Sequence, residues 1–223
     1  MADINFSEPA REPVSGLIFR KFSSTPNPKA RLLLLHGVGS NEANLASLAA
    51  SLPDDLEVLL LRGPLQAGPQ GFAWYQVTFT SNGPSFNYAQ AESSRQLLQS
   101  FIEALPTLPT VIAGFSQGGI MSSSIGVTEP ELVKGFALLS GRMLREIEPQ
   151  VASAERLRST SAFIAHGLRD GVLPIDWAQE ADAWLDRMGV VHETHHYDMA
   201  HEIIAQELAD FSLWLTKTLS LSD

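Results

Sequence analysis

Five strand-length apolar runs, separated by stretches of helical periodicity, constrain this chain more than any other feature. They are RLLLLH (31–36), EVLLLR (57–62), TVIAGF (110–115), GFALLS (135–140) and AFIAHG (162–167). A strand reads as a nearly continuous apolar run when both faces of its sheet are covered, which is the condition of a parallel sheet. HETHHY (192–197) and an N-terminal edge run, SGLIFRKF (15–22), extend the set. Between the runs the apolar period changes. Trp177, Ala181, Trp184, Leu185 and Met188 keep one side of a helix apolar. So do Ile203, Ile204, Leu208, Phe211, Leu215 and Leu219, and, earlier, Ala91, Leu97, Leu98, Phe101, Ile102 and Leu105. These stripes are packing faces. The alternation predicts an α/β fold, a mostly parallel central sheet with helices on both faces.

The chain has 223 residues, 44% of them hydrophobic, enough for one sizeable core. We read a single domain over 1–223, with 1–29 as an N-terminal edge segment. Its net charge of -10 repels phosphate backbones and anionic lipid surfaces, so nucleic acid and stable membrane insertion are poor expectations. There are no cysteines, which excludes disulfides, thiolate metal sites and a cysteine nucleophile. MADINFSEPAREP lacks the basic start and apolar core of a secretory signal, and no run approaches the roughly 18 apolar residues of a membrane span. The expectation is a cytoplasmic protein.

One segment is irregular and long. Residues 62–87 carry glycines, an Asn82-Gly83 turn signal and the aromatics Phe72, Trp74, Tyr75 and Phe79. Loops of this length in compact domains are usually functional. We expect this one on the substrate side.

Directly after TVIAGF comes Ser116, and Gly114-Phe115-Ser116-Gln117-Gly118 fits G-x-S-x-G, a tight turn between a strand and a helix. Side chains flanking such a serine would collide with backbone, and glycine removes the collision. The serine oxygen then projects at the carboxyl edge of the sheet, where ligands of parallel α/β folds bind. The Gln117 N–H points to where an oxyanion would form. A serine hydroxyl needs a base. His201, in YDMAHEIIAQ, falls between a strand and the last helix and can face the same edge. His192, His195 and His196 lie in a strand and read as packing or surface residues, and His166 as shaping its own loop. Asp170, in AFIAHGLRDGVLP, is the candidate acid. It can orient the imidazole and stabilise the imidazolium. Asp198 is the alternative, but it follows the same strand as His201. A second oxyanion donor is expected in His36-Gly37-Val38-Gly39: the Val38 N–H, with Gly37 as second choice. His36 reads as a loop-shaping residue. Ser40 or Asn41 is expected to cap a helix starting near Glu42.

Taken together, LLLLHGVGSN, LLLRGPL, FAWYQV, GFSQGG, HGLRDGVLP and MAHEI resemble the α/β-hydrolases of phospholipase/carboxylesterase type, which include acyl-protein thioesterases and small bacterial carboxylesterases. The resemblance runs from about residue 30 to the C-terminus. It implies the α/β-hydrolase fold with little or no cap domain, a catalytic triad of Ser116, Asp170 and His201, oxyanion donors at Val38 and Gln117, and no cofactor or metal. It also implies an acyl site near Leu65, Phe72, Trp74 and Leu173, and a monomer or weak homodimer. The implied reaction is hydrolysis of small carboxylic esters of short to medium acyl chain, with lysophospholipids and acyl thioesters as related substrates. Arg62-Gly63-Pro64, Leu173 and Met199-Ala200 depart from the thioesterase pattern and favour a bacterial-type esterase. Competing readings are a ligand-binding module on the same fold and a dienelactone hydrolase, whose usual cysteine nucleophile is missing here.

Overall fold

A computed structural model describes residues 6–80 and 83–221. Asn82 of the expected turn lies outside the described residues, and so does the Phe79 side chain.

Eight strands form the central sheet: β1 (Ala10–Arg11), β2 (Ile18–Ser23), β3 (Ala30–Leu35), β4 (Leu56–Arg62), then β9 (Thr110–Phe115), β10 (Gly135–Leu139), β11 (Ser161–Gly167) and β12 (Val191–Tyr197). Their spatial order is β1-β2-β4-β3-β9-β10-β11-β12. The pairs from β4 across to β12 are parallel, while β1 and β2 add an antiparallel edge. Every residue of β3 is buried. Alternate positions serve opposite faces. Leu33, Leu35, Leu59, Leu61 and Ile112 pack on one side, and Leu32, Leu34, Val58, Leu60, Val111 and Ala113 on the other. The first side is covered by α1 (Tyr88–Ala104), α2 (Gln117–Thr128) and α4 (Asp176–Met188) through Phe101, Ile125 and Leu185. The second is covered by α5 (Ala205–Leu219) through Phe211, Trp214 and Leu215. A one-turn α3 (Ala154–Leu157) precedes β11.

The strand-like runs are strands to within a residue or a few at each end. The last helix is shorter than its stripe: Ile203 and Ile204 belong to the loop before it and still pack on the core. The helix expected near Glu42 does not form. Residues there turn, the Asn41 side chain accepts from the Ala43 N–H (3.0 Å), and a 3-10 helix follows only at Ala46–Ser51. Glu42 is instead buried against two arginines. Arg62 holds it through Nε (2.7 Å) and Nη2 (2.5 Å), and Arg20 Nε lies 3.3 Å away. This cluster ties the loop after β3 to the end of β4.

Between β4 and α1 the chain makes two small antiparallel ribbons, β5 (Leu65–Gln66) with β6 (Phe72–Ala73), and β7 (Val77–Thr80) with β8 (Gly83–Phe86). Among the described residues, no helix is long and apolar enough to cross a membrane.

Candidate active site

β9 ends at Phe115 and α2 begins at Gln117, so one residue turns the chain. Ser116 pays conformationally for that turn, with φ 55° and ψ -117°. Such a non-glycine conformation costs about 1–3 kcal/mol. Its N–H donates to Leu139 O (2.8 Å), locking the turn to the end of β10. The flanking glycines are required by close approach. A Cβ on Gly118 would sit 2.1 Å from Leu35 O, and one on Gly114 2.2 Å from the Gly118 carbonyl carbon.

His201 occupies the turn between β12 and α5, its ring 4.8 Å from that of Phe115. The Ser116 hydroxyl donates to His201 Nε2 (3.0 Å), and His201 Nδ1–H donates to Asp170 Oδ2 (2.6 Å). Asp170 follows β11, and its side chain is fully buried. Its other oxygen, Oδ1, accepts from the amides of Val172 and Leu173, both at 2.8 Å. Burial opposes the charge on this carboxyl. The His201 hydrogen bond and the Leu173 and Val172 amides outweigh it and hold Asp170 below the usual carboxylate range. An ionised acceptor on Nδ1 fixes the tautomer and leaves Nε2 free to accept. Asp198, the alternative acid, is exposed and pairs with Arg169 (2.8 Å).

The loop after β3 lies against the serine: a Cβ on Gly37 would be 3.3 Å from the Ser116 Cβ. Among the described residues, neither Val38 N–H nor Gln117 N–H donates to another protein group. Gln117 opens α2, where N–H groups lack intrahelical acceptors and attract negative charge.

Four of the remaining histidines make loop or packing contacts, and His196 is exposed. His36 accepts from Gly63 N–H through Nε2 (3.0 Å) and donates from Nδ1 to Gly37 O (2.7 Å). Burial pushes its pKa down, so it stays neutral as a pin between two loops. His166 donates to Leu173 O (2.8 Å) and is also depressed by burial. It shapes the turn that carries Asp170. His192 contacts Asp182 (3.2 Å), and His195 stacks on Phe163.

A cavity of about 70 Å³ opens beside Ser116. Val38, Tyr75, Val77, Phe86, Ile120 and Leu173 form its apolar walls. Gln117 and Val172 also border it, and Arg142 is its charged side chain. Val38 and Val172 are exposed at the mouth. Of the four residues expected to bind the acyl chain, Leu173 is here. Three are not among the walls. Trp74 is fully buried, with its indole N–H donating to His36 O (3.0 Å). Phe72 and Leu65 lie in the β5–β6 ribbon, opposite Gln66 and Ala73 respectively, and Phe72 lies under the Arg62 guanidinium (4.5 Å). The physical reason is that Trp74 is held inward by its indole N–H and by its backbone N–H to the Gln117 side chain, and the wall is the next residue, Tyr75. Two roles were not foreseen. The Gln117 side chain clamps segment 62–87, accepting from Trp74 N–H (2.8 Å) and donating to Tyr75 O (2.7 Å). Arg142 enters from the carboxyl end of β10, and its position just beyond a strand end was the available signal.

Three side chains that meet only because three parallel strands deliver them to one sheet edge place this chain among the α/β-hydrolases. The family described as phospholipase/carboxylesterase matches residues 22–219, and the chain belongs to that family. It is a hydrolase of the carboxylesterase and thioesterase type. It is similar to acyl-protein thioesterase 1 of Mycosarcoma maydis, 24% identical over 86% of this chain and 92% of that one. It is also similar to the esterase YpfH of Escherichia coli, 28% identical over 81% and 79%. Among solved structures, the Bacillus cereus carboxylesterase shares the fold with a TM-score of 0.78 at 22% identity, over 91% of this chain and 94% of that one.

Proposed function

We propose that this chain hydrolyses small carboxylic esters of short to medium acyl chain through an acyl-enzyme on Ser116. The observation that carries the reading is the unbroken relay from Ser116 Oγ to His201 Nε2 (3.0 Å) and from His201 Nδ1 to Asp170 (2.6 Å). His201 takes the hydroxyl proton as Ser116 Oγ attacks the acyl carbonyl, and the imidazolium is stabilised by Asp170. The Val38 and Gln117 N–H groups hold the oxyanion. Loss of one such donor typically costs roughly 10²–10³ in rate. His201 then returns the proton to the departing alcohol, and water repeats the sequence on the acyl-enzyme. The strained serine and its free helix-terminal amides are set before substrate arrives, so little reorganisation is left to the reaction. Thioesters fit the same chemistry, as the thioesterase relatives suggest. In this reading residues 1–223 act as one catalytic domain, and segment 62–87 supplies a cavity wall through Tyr75, Val77 and Phe86.

The test is a fluorophosphonate probe with the modified residue located by mass spectrometry, run beside Ser116→Ala. Labelling at Ser116 and loss of ester turnover in Ser116→Ala are expected. A well-folded protein that takes no label would turn the reading toward a binding module on the same fold.

A further inference from the structure

Arg142 is the charged side chain in an otherwise mostly apolar cavity beside Ser116. Its backbone position is fixed by the site itself. The chain leaves β10 at Leu139, whose carbonyl accepts from Ser116 N–H, and a Cβ on Gly141 would be 3.1 Å from Ser116 O. The guanidinium lies between two aromatic rings, 5.0 Å from the centroid of Phe86 and 4.9 Å from that of Trp177. Stacking on ring faces satisfies the cation without using its N–H donors. Among the described residues those donors reach no acceptor, and no carboxylate stands within 4 Å of them. Arg20, Arg31, Arg62, Arg95, Arg145, Arg156 and Arg169 all have acidic partners in this acidic chain. An arginine left unpaired at the nucleophile, in a protein of net charge -10, is a local attraction for an anion that the overall field repels.

We propose that Arg142 receives a carboxylate carried at the far end of a short acyl chain, so that the substrates are monoesters of small dicarboxylic acids. This rests on Ser116 being the nucleophile. The planar fork of a guanidinium matches a carboxylate with two parallel N–H···O bonds, and an apolar cleft strengthens them. The acyl side is indicated by what the cavity lacks. The leaving group must sit within reach of His201, which gives it a proton, and His201 is not in the cavity wall. The walls instead include Val38 and Gln117, the oxyanion residues, so the cavity holds the part of the substrate that stays bonded to the carbonyl. Its volume of about 70 Å³ suits a short acyl part.

The experiment compares kcat/KM for p-nitrophenyl hemiglutarate and its neutral counterpart, p-nitrophenyl valerate. The charged-to-neutral ratio is read within each protein, so a change in overall activity cancels. The natural chain is expected to favour the charged ester by at least about tenfold, and Arg142→Gln to erase the preference. Arg142→Lys, which keeps the charge and loses the fork, falls between. A second pair, 4-butyryloxybenzoate and its methyl ester, carries the anion on the alcohol side and should show no Arg142-dependent preference. A ratio unchanged in Arg142→Gln, or a preference found only on the alcohol side, overturns the proposal. Calorimetric binding of monomethyl glutarate against dimethyl glutarate to Ser116→Ala separates this inference from the hydrolase reading. There the monoanion should bind more tightly and lose that advantage on adding Arg142→Gln, whether or not any ester is turned over.

Discussion

Glu207 should make this protein less stable as the pH rises through neutrality, and replacing it with methionine should remove that loss. The residue sits in the first turn of α5, fully buried, and among the described residues neither carboxyl oxygen has a hydrogen-bond partner. Burial pushes its pKa from 4.5 to about 8; the nearby Ile204 amide pulls the other way without reaching hydrogen-bond geometry. A carboxyl raised in the folded state binds its proton more tightly there than in the unfolded chain. Its contribution is therefore fully present below pH 4.5 and is lost as the pH climbs from 4.5 to about 8. Each pH unit in that window costs about 1.4 kcal/mol, so at pH 7 the loss is about 3 kcal/mol. Methionine has similar length and no proton to bind. The stability difference between Glu207→Met and the natural chain should be flat below pH 4.5 and grow steadily toward pH 8. In a domain of this size 3 kcal/mol is roughly 6–12 °C in Tm. Thermal or urea unfolding of both proteins from pH 4 to 8.5 reads it, and other titrating groups cancel in the difference. A difference that does not change with pH would mean that Glu207 ionises freely, and the reasoning from its burial would fail.

Other expectations are more local. Asp170→Asn should leave the fold intact but lower kcat by about 10³–10⁴, because the amide can hold the wrong imidazole tautomer; esterase kinetics beside circular dichroism would check it. Gly118→Ala places a Cβ 2.1 Å from Leu35 O, so the elbow must shift; loss of fluorophosphonate labelling is expected, and full labelling would contradict it. Glu42→Gln breaks the buried contact with Arg62 and Arg20, which holds the Glu42 carboxyl down at about 2. The cost should be about 3 kcal/mol at neutral pH. Because this carboxyl is depressed, the stabilisation is present above pH 4.5 and fades as the pH falls toward 2, so the Glu42→Gln difference should shrink below pH 4.5, where that of Glu207→Met stays flat.

The strands were legible because their residues leave little choice. A run such as Leu32 to Leu35 needs apolar cover on both sides, and the structure gives it, with alternate leucines in two separate clusters. The turn at Ser40–Leu45 was less legible. Asn41 and Glu42 carry the local marks of a helix start, but Arg62 and Arg20, distant in sequence, bind Glu42 and fix the chain another way. Two buried charge-assisted contacts outweigh a cap worth about 1 kcal/mol.

The site divides along the same line. Ser116, Asp170 and His201 each follow a different strand, so knowing the strands nearly places them, and distances of 3.0 and 2.6 Å connect them. The cavity has no such rule. Its walls come from an irregular segment in which Trp74 and Tyr75 are adjacent, both aromatic and both buried. Trp74 turns inward because its N–H finds His36 O and its backbone finds Gln117; Tyr75 then faces the serine. That choice depends on the Gln117 side chain, which the sequence marked only for its backbone. The residue that opens the helix beneath Ser116 thus also sets which side chain of the distant loop lines the cavity, so Gln117→Ala should alter acyl-chain preference as well as rate, with kcat/KM across a series of ester lengths as the measurement.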